Sequence, residues 1–222
     1  MPVAADARAG ANRAGRPRDP QVDVAIRTAT LELLVEEGYQ ATTIQAIARR
    51  AGVSAPSIYR RWSSKAELVE AAVFPSDLVE PTAGSDDVSV ELADYCHRIL
   101  SYLAQPPVRA AIPGLLTEYQ TDPQMWQRLT ARTLTPMRQS FEAFLRDSGR
   151  NSVHGTDGAS VEAVFEVMMG ALFARALNVG DEGAEEFAHQ VALVATAALQ
   201  TQAQQQPQPE PRRRRRPFER AR

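Results

Sequence analysis

The sequence predicts an all-α fold, with an N-terminal three-helix unit built around a helix-turn-helix and a larger C-terminal helical domain. Apolar residues recur at three- and four-residue intervals along most of the chain, and no stretch alternates as a strand does. The breaks between periodic stretches carry helix punctuation: Asp, Ser or Thr before a start, Gly or Pro after an end. Thr43 to Lys65, TIQAIARRAGVSAPSIYRRWSSK, reads as two short helices around an Ala-Gly-Val-Ser turn.

Taken in order, residues 1–18 are rich in Ala, Gly, Arg and Pro and read as a disordered basic arm. Arg13, Arg16 and Arg18 either reach a minor groove or belong to a soluble tail. A first helix is expected over 20–37, where Val22, Ile26, Ala29 and Leu33 keep helical spacing and Gly38 suits the residue that ends it. Thr42 with Gln45 matches a capping box for the second helix, and Thr43 is equally placed to cap it. Ile44, Ile47, Ala48 and Ala51 form its inner stripe, with Arg49 and Arg50 at the end where cations suit the helix dipole. Gly52 permits the tight turn, Val53 plugs it, Ser54 caps the third helix and Pro56 lies in its first turn. Ile58 and Trp62 face inward. Ser64 and Glu67 form a capping box for a fourth helix, which buries Leu68, Ala71 and Ala72. These elements make a first domain, 19–74.

Residues 75–203 make the second. Pro75, Pro81 and Gly84 mark a linker. One helix is expected over 88–104, stopped by Pro106-Pro107, and a shorter one over 107–119, disturbed by Pro113-Gly114. Asp122-Pro123 opens a long helix to about Asp147, kinked near Pro136. Ser148 to Gly158 is a polar loop, and 159–178 and 183–203 are the last two helices. Residues 204–222, with five consecutive arginines, form a disordered Arg-rich tail that either binds nucleic acid without specificity or has no dedicated role.

The net charge of −2 hides a division. Residues 75–201 carry net −9 and residues 202–222 net +5, while residues 38–65 hold five cations and no acid. An acidic body discourages indiscriminate phosphate contact; basic ends and a one-signed helix pair invite it. A lone cysteine, Cys96, permits no internal disulfide and fits a reducing cytoplasm. No apolar run approaches 18 residues and Met1 to Arg18 lacks an apolar signal core, so neither a membrane span nor secretion is expected. His97, His154 and His189 lie far apart without metal-ligand spacing, and no phosphate-cradling glycine loop or nucleophile elbow is present. The expectation is no enzyme, no cofactor and no metal.

GY-x-A-T-T, then I-A-x-x-A-G-V-S, then IY-x-x-W-x-S-K-x-x-L follow one another from Gly38 to Leu68, in a stretch that opens at about Ile26. This ordered set resembles the DNA-binding region of TetR/AcrR-type transcriptional regulators. Two departures are small: Ser63 stands where many relatives have proline, and Ala46 where an acidic residue is common. The resemblance implies a homodimer with a helix-turn-helix head and a helical ligand-binding and dimerisation body, in which a small effector shifts head spacing and releases double-stranded operator DNA. It carries DNA contact onto Thr43, Ser54, Ala55, Ser57, Tyr59, Arg60, Arg61 and Lys65.

Physical roles for these residues can be argued separately. The Thr43 hydroxyl and the helix N-terminus behind it suit a phosphate. Ala55 lets the recognition helix approach and offers a methyl to thymine, and Ser57 suits a base edge. Tyr59 offers phosphate a hydroxyl or serves in packing. Arg60 or Arg61 forks onto guanine or grips the backbone. Lys65 and the N–H groups of the fourth helix converge on one phosphate. Val161, Phe165, Met168 and Leu172 form one stripe, and Phe187, Val191, Val194 and Ala198 another; both are expected at the dimer seam or in their own core. Leu103, Leu116, Tyr119, Met125, Trp126, Met137, Phe141 and Phe173 are the expected lining of an apolar or weakly polar effector pocket. The rival readings are a nucleic-acid compactor relying on its Arg-rich ends and, more remotely, a small-molecule enzyme.

Overall fold

Asp19 starts the first helix: its side chain accepts a hydrogen bond from the Gln21 N–H at 3.0 Å, and Pro20 occupies the first helical position, where a missing N–H costs nothing. The computed structural model describes residues 19–74, 87–147 and 158–205. The basic arm, most of the linker, most of the polar loop and the Arg-rich tail from residue 206 lie outside the described residues; residues 204 and 205, expected in the tail, end the last helix. Among those described, the elements are α1 (Pro20–Ala41), α2 (Ile44–Arg50), α3 (Ala55–Tyr59), α4 (Lys65–Val73), α5 (Val88–Leu103), α6 (Pro106–Thr121), α7 (Pro123–Leu129), α8 (Thr135–Asp147), α9 (Gly158–Asn178) and α10 (Ala184–Gln205). A π-helical turn, Thr130–Leu134, joins α7 to α8, and no strand is present among the described residues.

The first three helices close around Ile26, Leu33, Ile47, Ile58 and Leu68, all at most 1% exposed, with Val22, Val53 and Trp62 packed at the margin. Each such side chain contributes roughly 1.5–3 kcal/mol by leaving water. Gly38, at φ +74°, breaks the regular run of α1 where expected, and Gly52, at φ +67°, makes the turn between α2 and α3. Capping decides one open choice and departs from expectation at Ser54. Thr43, not Thr42, caps α2, accepting from the Ala46 N–H at 3.1 Å; the Thr42 hydroxyl instead donates to the Gly38 carbonyl at 2.7 Å and is fully buried. Ser54 occupies the cap position of α3, but its hydroxyl makes no capping bond. Ser64 caps α4 through the Glu67 N–H, while the Glu67 carboxylate reaches one residue further back, to the N–H of Ser63 at 2.7 Å.

The body is arranged around α5, which packs on α10 and α9 and buries Leu92, Tyr95, Cys96, Ile99 and Leu100. Burial pushes the Cys96 thiol up to about 12, so it behaves as a small apolar side chain. Head and body share an interior where α1 and α4 meet α6: Leu34, Tyr39, Val69, Val73 and Phe74 belong to the body's core.

Two expected disturbances resolve differently. α6 runs unbroken through Pro113, whose ring faces solvent, while Gly114 is buried. Where a kink near Pro136 is expected, the helix takes a wide π-turn over 130–134, in which the Thr135 N–H reaches the Thr130 carbonyl. Proline at 136 has no N–H to donate to the Arg132 carbonyl, and the wider turn lies immediately before it.

Candidate nucleic-acid interface and apolar chamber

The turn at Gly52 sets α2 and α3 so that Ile47 and Ile58 point inward and the opposite faces remain uncovered. Thr43 is exposed; its oxygen accepts the cap bond, which leaves the O–H as a donor. Ser54 is exposed, and its hydroxyl is unused by the cap. Ala55 and Ser57 are half-buried along α3, and Tyr59 is exposed. Arg60 is exposed and donates to the Ser57 hydroxyl at 2.9 Å.

The cations read as one group in sequence divide in the fold. Arg61 lies with its side chain only 12% exposed, paired through Nε with Asp23 of α1 and donating to the Ser57 carbonyl at 3.0 Å. Arg50 forks onto Glu36 at 2.6 and 3.0 Å and reaches Glu32 at 3.2 Å. Lys65 donates to the Tyr39 carbonyl at 3.0 Å, with its ammonium 3.9 Å from the centre of the Tyr39 ring. Burial lowers the proton affinity of Lys65, against the pull of the Glu118 carboxylate. Arg49 and Arg60 are thus the cations of 38–65 that are exposed without a carboxylate partner among the described residues. Asp23, Glu32 and Glu36 all lie on α1, outside the acid-free stretch, so the charge pattern alone gave no sign of this pairing.

Tyr39 ties this face to the body. Its hydroxyl donates to Glu118 of α6 at 3.2 Å, and its ring covers Gly114 so closely that a Cβ there would lie 2.0 Å from the ring. Burial and then the neighbouring Glu118 charge hold the phenol's proton well above its ordinary range. Sequence inspection missed both residues, since a glycine in the middle of α6 reads as a defect until the ring above it is seen.

Behind α6 lies a chamber of about 240 Å³ bounded by residues from α4 to α9. Six of the eight residues expected at an effector site line it: Leu103, Leu116, Tyr119, Trp126, Met137 and Phe173. Two do not. Met125 is buried elsewhere, and Phe141 sits in the interior between Tyr95 and Phe165, with ring centres at 6.2 and 5.6 Å. Helical spacing shows that such a residue is inward, but not which side of the helix layer it fills. Behind the chamber wall, Glu70 of α4 pairs with Arg132 of the π-turn at 2.9 Å, and Arg132 also donates to the Phe74 carbonyl at 3.4 Å. Burial raises the proton affinity of Glu70, partly offset by Arg132. The Tyr119 hydroxyl adjoins this pair without a hydrogen bond of normal geometry, and burial followed by the Glu70 charge keeps it protonated.

A second apolar feature, a groove of about 500 Å³, runs between α9 and α10. Of the eight residues expected at a dimer seam, Val161, Phe165 and Leu172 turn into the subunit's own core instead, because α9 carries apolar residues on more than one face. Met168 is buried yet borders the groove, together with Phe187, Val191, Val194 and Ala198. Two of its large apolar walls, Val167 and Val194, are exposed, at 70% and 67%. His97 and His189, remote in sequence, line one polar cleft with Asp94, Glu185 and Glu186; His154 lies outside the described residues. Among the described residues no group of three or more such side chains could hold a metal ion, and no helix is long and apolar enough to cross a membrane.

Known proteins share this arrangement. The family of bacterial regulatory proteins called tetR matches residues 26–72, and the tetracyclin repressor-like C-terminal domain matches residues 83–195. The uncharacterized HTH-type transcriptional regulator YdeS of Bacillus subtilis is 26% identical over 192 residues, covering 85% of this chain and 95% of YdeS. The HTH-type transcriptional activator FasR of Mycolicibacterium smegmatis is 43% identical over 158 residues, 64% of this chain and 67% of FasR. Among solved structures, a TetR-family regulator from Mesorhizobium loti superposes with a TM-score of 0.63 at 18% identity, covering 82% of this chain and 98% of that one. FadR of Bacillus subtilis, solved in complex with stearoyl-CoA, superposes at 0.55 with 16% identity, covering 79% and 96%. At these identities the structures speak for the fold.

Proposed function

Because this chain belongs to the TetR family of bacterial transcriptional regulators, we propose that it is a cytoplasmic, ligand-responsive homodimeric repressor that binds a specific operator. The observation that carries the reading is the uncovered face of α3. Ser54, Tyr59 and Arg60 face out around a helix whose inner residue, Ile58, is fully buried and whose Ala55 is half-buried, beside an α2 N-terminus whose Thr43 still has a proton to donate. Such a face fits a major groove. Ser57, Arg61 and Lys65 complete the contact set, with Arg61 and Lys65 released from Asp23 and Tyr39 when phosphate approaches.

One five-residue α3 offers few contacts, so two copies are needed, spaced about one helical turn of DNA, roughly 34 Å, apart. The groove between α9 and α10 is the surface we assign to the partner, because exposed Val167 and Val194 gain by mutual burial. The chamber is the effector site. α6 supports the coupling: it lines the chamber through Leu115, Leu116 and Tyr119 and holds Tyr39, the carrier of Lys65, through Gly114 and Glu118. An effector that shifts α6 therefore moves Lys65.

A second reading, activation, is favoured by the likeness to FasR, a transcriptional activator; TetR of Mycobacteroides abscessus, 40% identical over 53 residues, is a transcriptional repressor. Selection of bound duplexes from a random pool, then transcription in vitro from a promoter holding the selected site, tests the proposal. A palindromic site and lowered transcription are expected; raised transcription favours activation. Equal retention of all duplexes, or a loss of binding on deleting residues 207–222, favours the compactor. Val194→Asp is expected to give monomers in sedimentation and lose the palindrome.

A further inference from the structure

Building on the effector site proposed above, we infer that the chamber takes a compact, uncharged apolar ligand of about ten non-hydrogen atoms and excludes both long acyl chains and ionised headgroups.

Size comes from the volume. A dry cavity of about 150 Å³ accommodates benzene, six carbons. At that packing the chamber's 240 Å³ holds about ten. Gly170 lies at the chamber's margin: it is exposed, and an added Cβ there would meet no atom within 4 Å.

Charge is excluded by the wall. None of the lining side chains carries a charge. The hydroxyls of Thr133 and Tyr119 are enclosed, and Tyr119 is held protonated by burial and by Glu70 behind it, so a ligand meets hydrocarbon and ring faces. An ion placed here would lose its hydration with no group to replace it. Nor does the way out offer an anion site. Leu116 and Trp126, 39% and 46% exposed, mark the rim, and Trp126 stands edge-on to Tyr119 at 5.5 Å. The recess beyond Trp126 contains Arg138, but Glu142 holds that guanidinium at 2.5 Å and Glu162 lies at 3.7 Å. A carboxylate or phosphate arriving there meets a cation already matched by acids.

The test uses the full-length protein and a homologous series, 1-hexanol to 1-tetradecanol, with binding measured by calorimetry and retention of the selected operator measured in the same samples. Affinity is expected to rise about fourfold per methylene and to stop rising near decanol. Decanoate and decyltrimethylammonium are expected to bind at least about tenfold more weakly than decanol. Gly170→Leu places a bulky apolar side chain at this margin and is expected to end the rise at a shorter chain than in the unaltered protein. A rise that continues to tetradecanol, a preference for either ion, an unmoved limit in Gly170→Leu, or no alkanol binding at all would each overturn the inference. A limit near decanol with operator retained upholds the ligand class and defeats the effector role; operator release by longer or ionised compounds does the reverse.

Discussion

The head and the body treat their apolar residues in opposite ways. In the head, Ile26, Ile47, Ile58 and Leu68 close on one another with nothing left over, and the chemistry lies outside, in hydroxyls and guanidiniums. In the body, the helices close around α5 but leave an apolar-walled chamber behind α6, and a further apolar groove on the outside of α9 and α10. The head is built to present a fixed surface and the body to accept occupants. Between them stands Tyr39, packed on the body and holding a head cation.

The largest effect that would test this contrast is in the head. Ile58→Ala should cost about 2–5 kcal/mol, because α3 has only five residues and this is its buried anchor. Thermal melting should fall by roughly 5–15 °C and operator binding should go with it; an unchanged melt would mean α3 is seated by something else.

Next come two glycines treated alike. Gly114→Ala drives a methyl into the Tyr39 ring and should destabilise by about 1–3 kcal/mol; Gly170→Ala enters open space and should be neutral or stabilise by up to about 1 kcal/mol. Equal effects in melting experiments would erase the distinction between a filled junction and an open chamber margin.

Lys65→Ala should then lower operator affinity for every sequence and reduce the salt slope by about 0.9, since the ammonium must leave the Tyr39 carbonyl to reach phosphate. An unchanged slope would assign Lys65 to the junction alone.

The smallest effect is a pH dependence. The folded state raises Glu70's proton affinity, so folded chains hold a proton there at pH values where unfolded chains have lost it. Stability from this group is therefore full below the ordinary carboxylate range and declines as pH climbs through the raised native value. Glu70→Gln should flatten that decline in melts taken between about pH 4 and 7; an unaltered decline would place its origin elsewhere.

Local signals in the chain spoke clearly where the chemistry is local. Gly38, Gly52 and the caps at Ser64 and Asp122 act within four residues of themselves, so the helix order of head and body could be read directly. Spacing identified inward residues too, but inwardness has several destinations. Phe173 lines the chamber, Phe165 fills the core and Val167, two positions on, faces outward. One helix period cannot tell two apolar faces apart when both are apolar for different reasons.

By itself the sequence determined the all-α composition, the turn that presents α3, and the family the chain resembles, because capping, glycine φ and periodicity are properties of neighbouring residues. Only tertiary structure decided which cations remain free, since Arg61 meets Asp23 across 38 residues and Lys65 meets the Tyr39 carbonyl across 26. Tertiary structure likewise joined Glu70 to Arg132 and laid Tyr39 on Gly114. Pairing over such separations depends on where packed helices set their side chains, and that placement follows from the whole core rather than from any short segment of it.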